Sequence, residues 1–156
     1  MARKRRAEKR KLLPDPKCGS SLVTQFVNCL FRKGKKSVGE RIFYESLDLI
    51  KARTDKDGLE VFEKAVENVK PVVQVRSRRV GGANYQVPMQ VNRKRQLSLG
   101  IRWIRDAVRS GKGKPTAVSL ANELMAAYNG EGAALQTREN IHRMAEANKA
   151  FAHFAW

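Results

Sequence analysis

From Leu22 to Val69 the apolar residues return every three to four positions, the spacing of one buried face on a helix. Leu22, Val23, Phe26, Val27 and Leu30 mark a first helix that starts at Ser20 or Ser21 and is ended by Gly34. Upstream, Pro14 and Pro16 hold the chain extended. Behind Lys35 and Lys36, a second helix carries Val38, Ile42, Phe43, Leu47 and Ile50 and stops between Thr54 and Gly58. Leu59, Phe62, Ala65, Val66 and Val69 mark a third, closed by Pro71. These faces supply much of the expected core.

At Val73 the period drops to two. Val73 and Val75 alternate before a turn, and Tyr85, Val87, Met89 and Val91 alternate after it, with Gln86, Pro88 and Gln90 facing the other way. Gly81 and Gly82 between the runs allow the positive φ angles of a tight connection, so the segment reads as a β-hairpin. Pro88 cannot donate to a ladder, which makes its strand an edge, and with no further strand predicted the ribbon must project from the helices.

Helical spacing resumes after Asn92, a candidate N-cap, with Leu97, Ile101, Ile104 and Val108 on the buried stripe. Arg95, Arg102 and Arg109 recur every seven residues on that helix beside Arg105, forming a basic ridge. Ser110 to Pro115 reads as a loop. A further helix carries Leu120, Leu124, Met125 and Tyr128 and is broken by Asn129, Gly130 and Gly132. The last begins near Thr137, uses Ile141, Met144 and Ala145, and runs towards Phe151, Phe154 and Trp156. The expected fold is mainly α: a bundle of about six helices with one protruding hairpin at about 72–91. One domain spans 13–156, and residues 1–12 form a basic, disordered arm. Neither an internal repeat nor a coiled-coil heptad run is present.

Charge sharpens this picture. The 156 residues hold 32 Lys and Arg against 15 Asp and Glu, a net of +17, while 42% hydrophobic residues exclude a wholly disordered polycation. Residues 1–39 carry 12 basic and 2 acidic side chains, residues 40–67 carry 5 and 8, and residues 106–156 carry 6 and 5. Residues 68–105 carry 9 basic side chains and no acidic one. A stretch of that length without a carboxylate points to a polyanionic partner. With no apolar run of about 18 residues, no signal segment and no basic amphipathic helix at the start, the expectation is an intracellular protein bound to nucleic acid and to no membrane.

None of the common catalytic constellations is complete. Gly111 and Gly113 with Lys112 and Lys114 lack the spacing, the following Ser or Thr and the preceding strand of a nucleotide-binding loop. Gly81-Gly82 lacks the third glycine of a dinucleotide fingerprint. Cys29 lies on an apolar helix side, so its pairing with His142 as nucleophile and base is outweighed by a packed thiol. Glu60, Glu63 and Glu67 with Lys64 read as a solvated face, and His153 as a stacking or hydrogen-bonding residue. Cys18 and Cys29 have no zinc or redox spacing and read as reduced thiols. The expectation is no enzyme, no metal, no cofactor and no small-molecule substrate.

Nucleic-acid binding has parts with a physical use. The arm residues Arg3, Lys4, Arg5, Arg6, Lys9, Arg10 and Lys11 can follow a phosphate backbone and release its counterions. Arg76, Arg78 and Arg79 offer planar donors, and Tyr85 an aromatic face for a base. Arg102, Arg109, Lys112 and Lys114 extend the positive surface. Charge spread over an arm, a ribbon, a ridge and a loop suits a folded RNA read by shape, while a nucleoid or regulatory DNA-binding protein is the alternative reading.

Three segments carry a resemblance. Arg76-Ser-Arg-Arg-Val-Gly-Gly-Ala-Asn-Tyr-Gln-Val-Pro88, Gly34-Lys-Lys36 and Arg143-Met-Ala-Glu-Ala-Asn-Lys-Ala-Phe-Ala-His153, with the basic start, closely resemble the bacterial type of small-subunit ribosomal protein seven. The resemblance implies a helical bundle with a protruding hairpin and a primary 16S rRNA-binding protein of the 30S subunit. It implies that the protein nucleates the head, or 3′ major, domain near the exit-site tRNA, the mRNA and the decoding region, in a cytoplasmic or organellar ribosome. It assigns rRNA contact to Arg3 to Lys11, Lys35, Lys36, Arg76, Arg78, Arg79, Gly81, Gly82, Tyr85, Arg93, Lys94 and Arg95. It assigns contact with tRNA or a neighbouring protein to Val80, Gly81, Gly82, Ala83, Asn84, Arg143, Asn148, Lys149 and His153, with small-subunit proteins nine and eleven as neighbours. Lys17 and Cys18 depart from the family pattern, which has an aliphatic and an aromatic residue there.

Overall fold

A computed structural model describes residues 11–154. Its elements run α1 (Ser21–Leu30), α2 (Lys36–Thr54), α3 (Gly58–Val69), β1 (Val73–Val80), β2 (Ala83–Gln90), α4 (Arg93–Ser110), α5 (Thr116–Asn129) and α6 (Ala133–Ala147), then a closing 3-10 turn (Lys149–Phe154). The chain is mainly α with one antiparallel hairpin, as its periodicities predict.

The core gathers the stripes of α1 to α5 and the start of α6. Phe26, Phe43 and Phe62, one from each of the first three helices, are fully buried and meet tilted or edge-on, with ring centroids 5.1 to 5.7 Å apart. Such aromatic pairs add about 1 kcal/mol each beyond the burial of their area. Ile104 of α4 and Leu120 and Leu124 of α5 complete this centre. Gly58 opens α3 directly against α2, where a Cβ would sit 2.9 Å from the carbonyl oxygen of Leu47. Two apolar residues expected on helix faces emerge at the surface instead: Val38 is 39% and Met144 50% exposed. Val38 lies in the opening turn of α2 and Met144 in the last turn of α6, where each face runs past its partners.

The last helix starts four residues earlier than the periodicity suggests. Its first turn has no side-chain cap of its own; instead the Ala134 amide donates to Glu123 Oε1 of α5 at 2.8 Å. Gly132, with φ of +100°, turns the chain into that contact. A cap borrowed from another helix leaves no local signature.

The hairpin register pairs Val73 with Gln90, Val75 with Pro88, Arg76 with Val87, Arg78 with Tyr85 and Val80 with Ala83. Directly paired residues share a face. Val73 and Val75 therefore lie with Pro88 and Gln90, opposite to Tyr85 and Val87, and both faces are partly apolar. That explains why the ribbon does not project along its whole length. Its root packs on α6 and β2 on the closing 3-10 turn, while the tip around Gly81 and Gly82 is exposed.

Candidate nucleic-acid interface

The segment that leads into α1 is built on one carboxylate. Asp15 is 4% exposed and its Oδ2 accepts the amides of Lys17 and Cys18 at 3.1 and 3.0 Å. The Tyr44 hydroxyl of α2 donates to its Oδ1 at 2.8 Å, and Lys17 Nζ lies 4.2 Å above the Tyr44 ring. Burial works to raise the Asp15 pKa, but the donors from Cys18, Tyr44 and Lys17 outweigh it and hold the carboxyl below its usual value. Burial, then the charge of Asp15, pushes the Cys18 thiol up, so it stays protonated. Backbone donation and a cation–ring contact thus hold Lys17 and Cys18 in place ahead of α1.

Lys11 is exposed where the described chain begins; Arg3, Lys4, Arg5, Arg6, Lys9 and Arg10 lie outside the described residues. Lys35 sits in the exposed turn between α1 and α2, and Lys36 opens α2 with its Nζ 3.4 Å from Glu40. Close by, a cleft of about 400 Å³ is lined by Arg32, Lys35, Arg109, Phe31 and Val38. Arg109 is half-buried because its guanidinium donates to the Leu30 carbonyl at 2.8 Å, placing a cation at the C-terminus of α1. Burial, followed by the charges of Arg32 and Arg105, draws the Arg109 pKa below its usual value. Positive potential is therefore concentrated at this end of the bundle.

On α4 the Asn92 side chain accepts the Arg95 amide at 2.9 Å, the expected cap. Arg93, Lys94, Arg95 and Arg102 are exposed. Arg105 turns inward, bonding Asp106 at 2.8 Å and reaching within 3.4 Å of Cys29 Sγ. The sevenfold ridge is thus open at Arg95 and Arg102 and anchored at Arg109. Lys112 and Lys114 are exposed on the following loop.

The hairpin carries Arg76 and Arg79 exposed and Arg78 half-exposed. Strand alternation puts Arg76 and Arg78 on the Tyr85 face and Arg79 on the other. Tyr85 has its ring 5.1 and 5.4 Å from Phe151 and Phe154, so part of its aromatic surface is already covered. This closure by the 3-10 turn was not visible in the sequence. Gly81, Gly82, Ala83 and Asn84 form the exposed tip, with positive φ at both glycines, and Val80 is half-buried beside them. Arg143, Lys149 and His153 are exposed at the far end of α6 and on the 3-10 turn, whereas Asn148 closes α6 by donating to the Met144 carbonyl at 2.8 Å. His153 lies against Phe154, centroids 4.0 Å apart, with Nδ1 2.9 Å from the Ala150 carbonyl oxygen.

Among the described residues no cluster of His, Cys, Asp or Glu has the grouping of a metal site, and no helix is long and apolar enough to cross a membrane.

Comparison with known proteins gives one consistent result. A family model described as ribosomal protein S7p/S5e matches residues 2–149. The chain is 55% identical over 154 residues to the small ribosomal subunit protein uS7 of Fervidobacterium nodosum, covering 99% of each sequence. It is 57% identical over 147 residues to that of Rhodopirellula baltica, covering 93% of this chain and 94% of the relative. The corresponding protein of an Azoarcus species is 55% identical over 154 residues, again 99% of each.

Proposed function

The chain belongs to the ribosomal protein S7p/S5e family, and from that premise we propose that it is a non-catalytic structural protein of the small ribosomal subunit that binds 16S rRNA directly and starts assembly of the head domain. The observation that carries the RNA-binding part is the stretch 68–105, which has nine cations and no carboxylate and emerges on two elements, the hairpin and the start of α4. Arg76, Arg79, Arg93, Lys94, Arg95 and Arg102 are all exposed along it. Lys11, Lys35, Lys36, Lys112 and Lys114 add cations on separate segments, so the positive surface wraps the bundle rather than forming one groove-reading helix. Such a surface fits a folded RNA recognised by its shape and phosphates.

In this reading Arg3, Lys4, Arg5, Arg6, Lys9 and Arg10 extend the same surface. Tyr85 then acts as much in holding the 3-10 turn as in meeting a base, and Arg109 as much in holding α1 as in meeting a phosphate. The hairpin tip at Val80 to Asn84 and the surface of Arg143, Asn148, Lys149 and His153 face exit-site tRNA and small-subunit protein eleven, with mRNA and protein nine as further neighbours. The protein works in the ribosome, of the cytoplasm or of an organelle.

Replacing Arg76, Arg78 and Arg79 together by Ala tests the hairpin's part. Each phosphate that the protein no longer neutralises lowers the slope of log affinity against log salt by about 0.7 to 0.9, so the triple variant is expected to flatten that slope by up to about 3 on a 16S 3′-domain fragment. An unchanged slope with unchanged affinity would show that the hairpin points away from rRNA.

A further inference from the structure

One hydrogen bond from a side chain of α6 reaches the backbone at the root of the hairpin. Val72 follows Pro71, which has no N–H and ends the run from α3, and it precedes the first ladder residue, Val73. Its carbonyl accepts the amide of Val91 at 3.0 Å, closing the ladder at the root. Its own amide points the other way, to Nε2 of His142 on α6, at 3.2 Å. Val72 therefore joins the two strands at their root, and a side chain of α6 holds it there.

An amide can donate only to a ring nitrogen that carries no proton. The bond fixes His142 as the neutral tautomer with its proton on Nδ1. Adding a proton to Nε2 would set two donors face to face and turn the bond into a repulsion. We infer that His142 is a positioning residue that latches the hairpin root onto α6 while neutral and releases it when protonated.

The surroundings favour the neutral form at ordinary pH. Burial, then the charge of Arg138 one turn earlier on α6, lowers the His142 pKa. Glu146 one turn later and Lys149 on the 3-10 turn line the same cleft of about 510 Å³. The hairpin contributes Val73, Pro88, Met89 and Gln90 to its lining, none of which titrates. The last charges of α3, Lys70 and Glu67, are paired with each other. α3, α4 and α5 also pack on α6 but supply no side chain to that lining. Two cations thus stand against one carboxylate around the ring. Because the folded-state value lies below that of a free imidazole, the latch is complete above about pH 6.5 and weakens as pH falls through the lower folded value.

The test uses the full chain without RNA, so its failure would leave the rRNA reading untouched. Nitrogen-15 NMR of the wild type is expected to show the Nδ1–H tautomer of His142 at pH 7.5. Hydrogen exchange of Val72 and its ladder neighbours, corrected for intrinsic rates, is expected to lose about fivefold or more in protection between pH 7.5 and a pH below the His142 transition followed in the same spectra. His142→Gln, whose side-chain carbonyl accepts the same bond without titrating, should keep that protection at both pH values. His142→Ala should lack it at both. An Nε2–H tautomer, a protection independent of pH in the wild type, or a Gln variant that behaves like the Ala variant would overturn the latch. The tautomer measurement needs no mutation and stands even if a variant folds poorly.

Discussion

At the scale of single residues, four pairings organise the surface that the chain offers: Asp15 with Tyr44, Arg109 with Leu30, Glu123 with Ala134 and His142 with Val72. Asp15 is the clearest to test. Its carboxylate satisfies two backbone amides and a half-buried hydroxyl, so Asp15→Ala removes the acceptor of all three and is expected to cost about 2 kcal/mol in urea unfolding at pH 7. The same donors place its folded pKa below the value of about 3.8 that a free Asp carboxyl has. The stability it supplies is therefore full above that value and is lost as pH falls through the lower folded value. Wild-type protein should show a steeper acid limb below about pH 4 than the Ala variant; parallel limbs would show that the carboxylate is not held in this way. These four pairings span 29, 79, 11 and 70 residues, beyond the reach of any local pattern. What sequence could show was each residue's type and exposure class, not its partner.

At the scale of elements, local signals were sufficient where they compete with nothing. The stripe of Phe62, Ala65, Val66 and Val69 makes α3 a helix, Asn92 caps α4, and the two glycines at 81 and 82 turn the hairpin. They failed where an element depends on another. α6 is the instructive case, because its first turn exists through Glu123 of α5. Glu123→Ala should fray residues 133–136 and cost about 1 kcal/mol, seen as faster amide exchange at the start of α6 with the core of α3 unaffected. Equal protection in the variant would show that Gly132 alone sets the start. The ribbon's docking was hidden for a related reason. Alternation identifies two strands, but the register between them decides that Val73 and Val75 lie opposite to Tyr85 and Val87. With apolar residues on both faces, the root had to be covered, and α6 and the 3-10 turn cover it.

At the scale of the whole molecule, the positive charge is divided between surfaces that a single rigid partner must reach together: the turn before α2, the hairpin, the start of α4 and the loop after it. The uneven sign along the chain was legible without coordinates, because residues 68–105 lack any carboxylate. Which of those cations stay available was not. Arg105 and Arg109 are drawn into the packing of α1, and their neighbours Arg95 and Arg102 stay exposed. Shape and charge together separate a folded RNA from a generic polyanion. The direct measurement is the affinity for a transcribed 16S 3′-domain fragment beside that for a duplex DNA of equal length, each followed across a salt series. A preference for the RNA that persists at high salt is the predicted result. Equal affinities with equal slopes would mean that the net charge acts as a plain polycation and would contradict rRNA recognition.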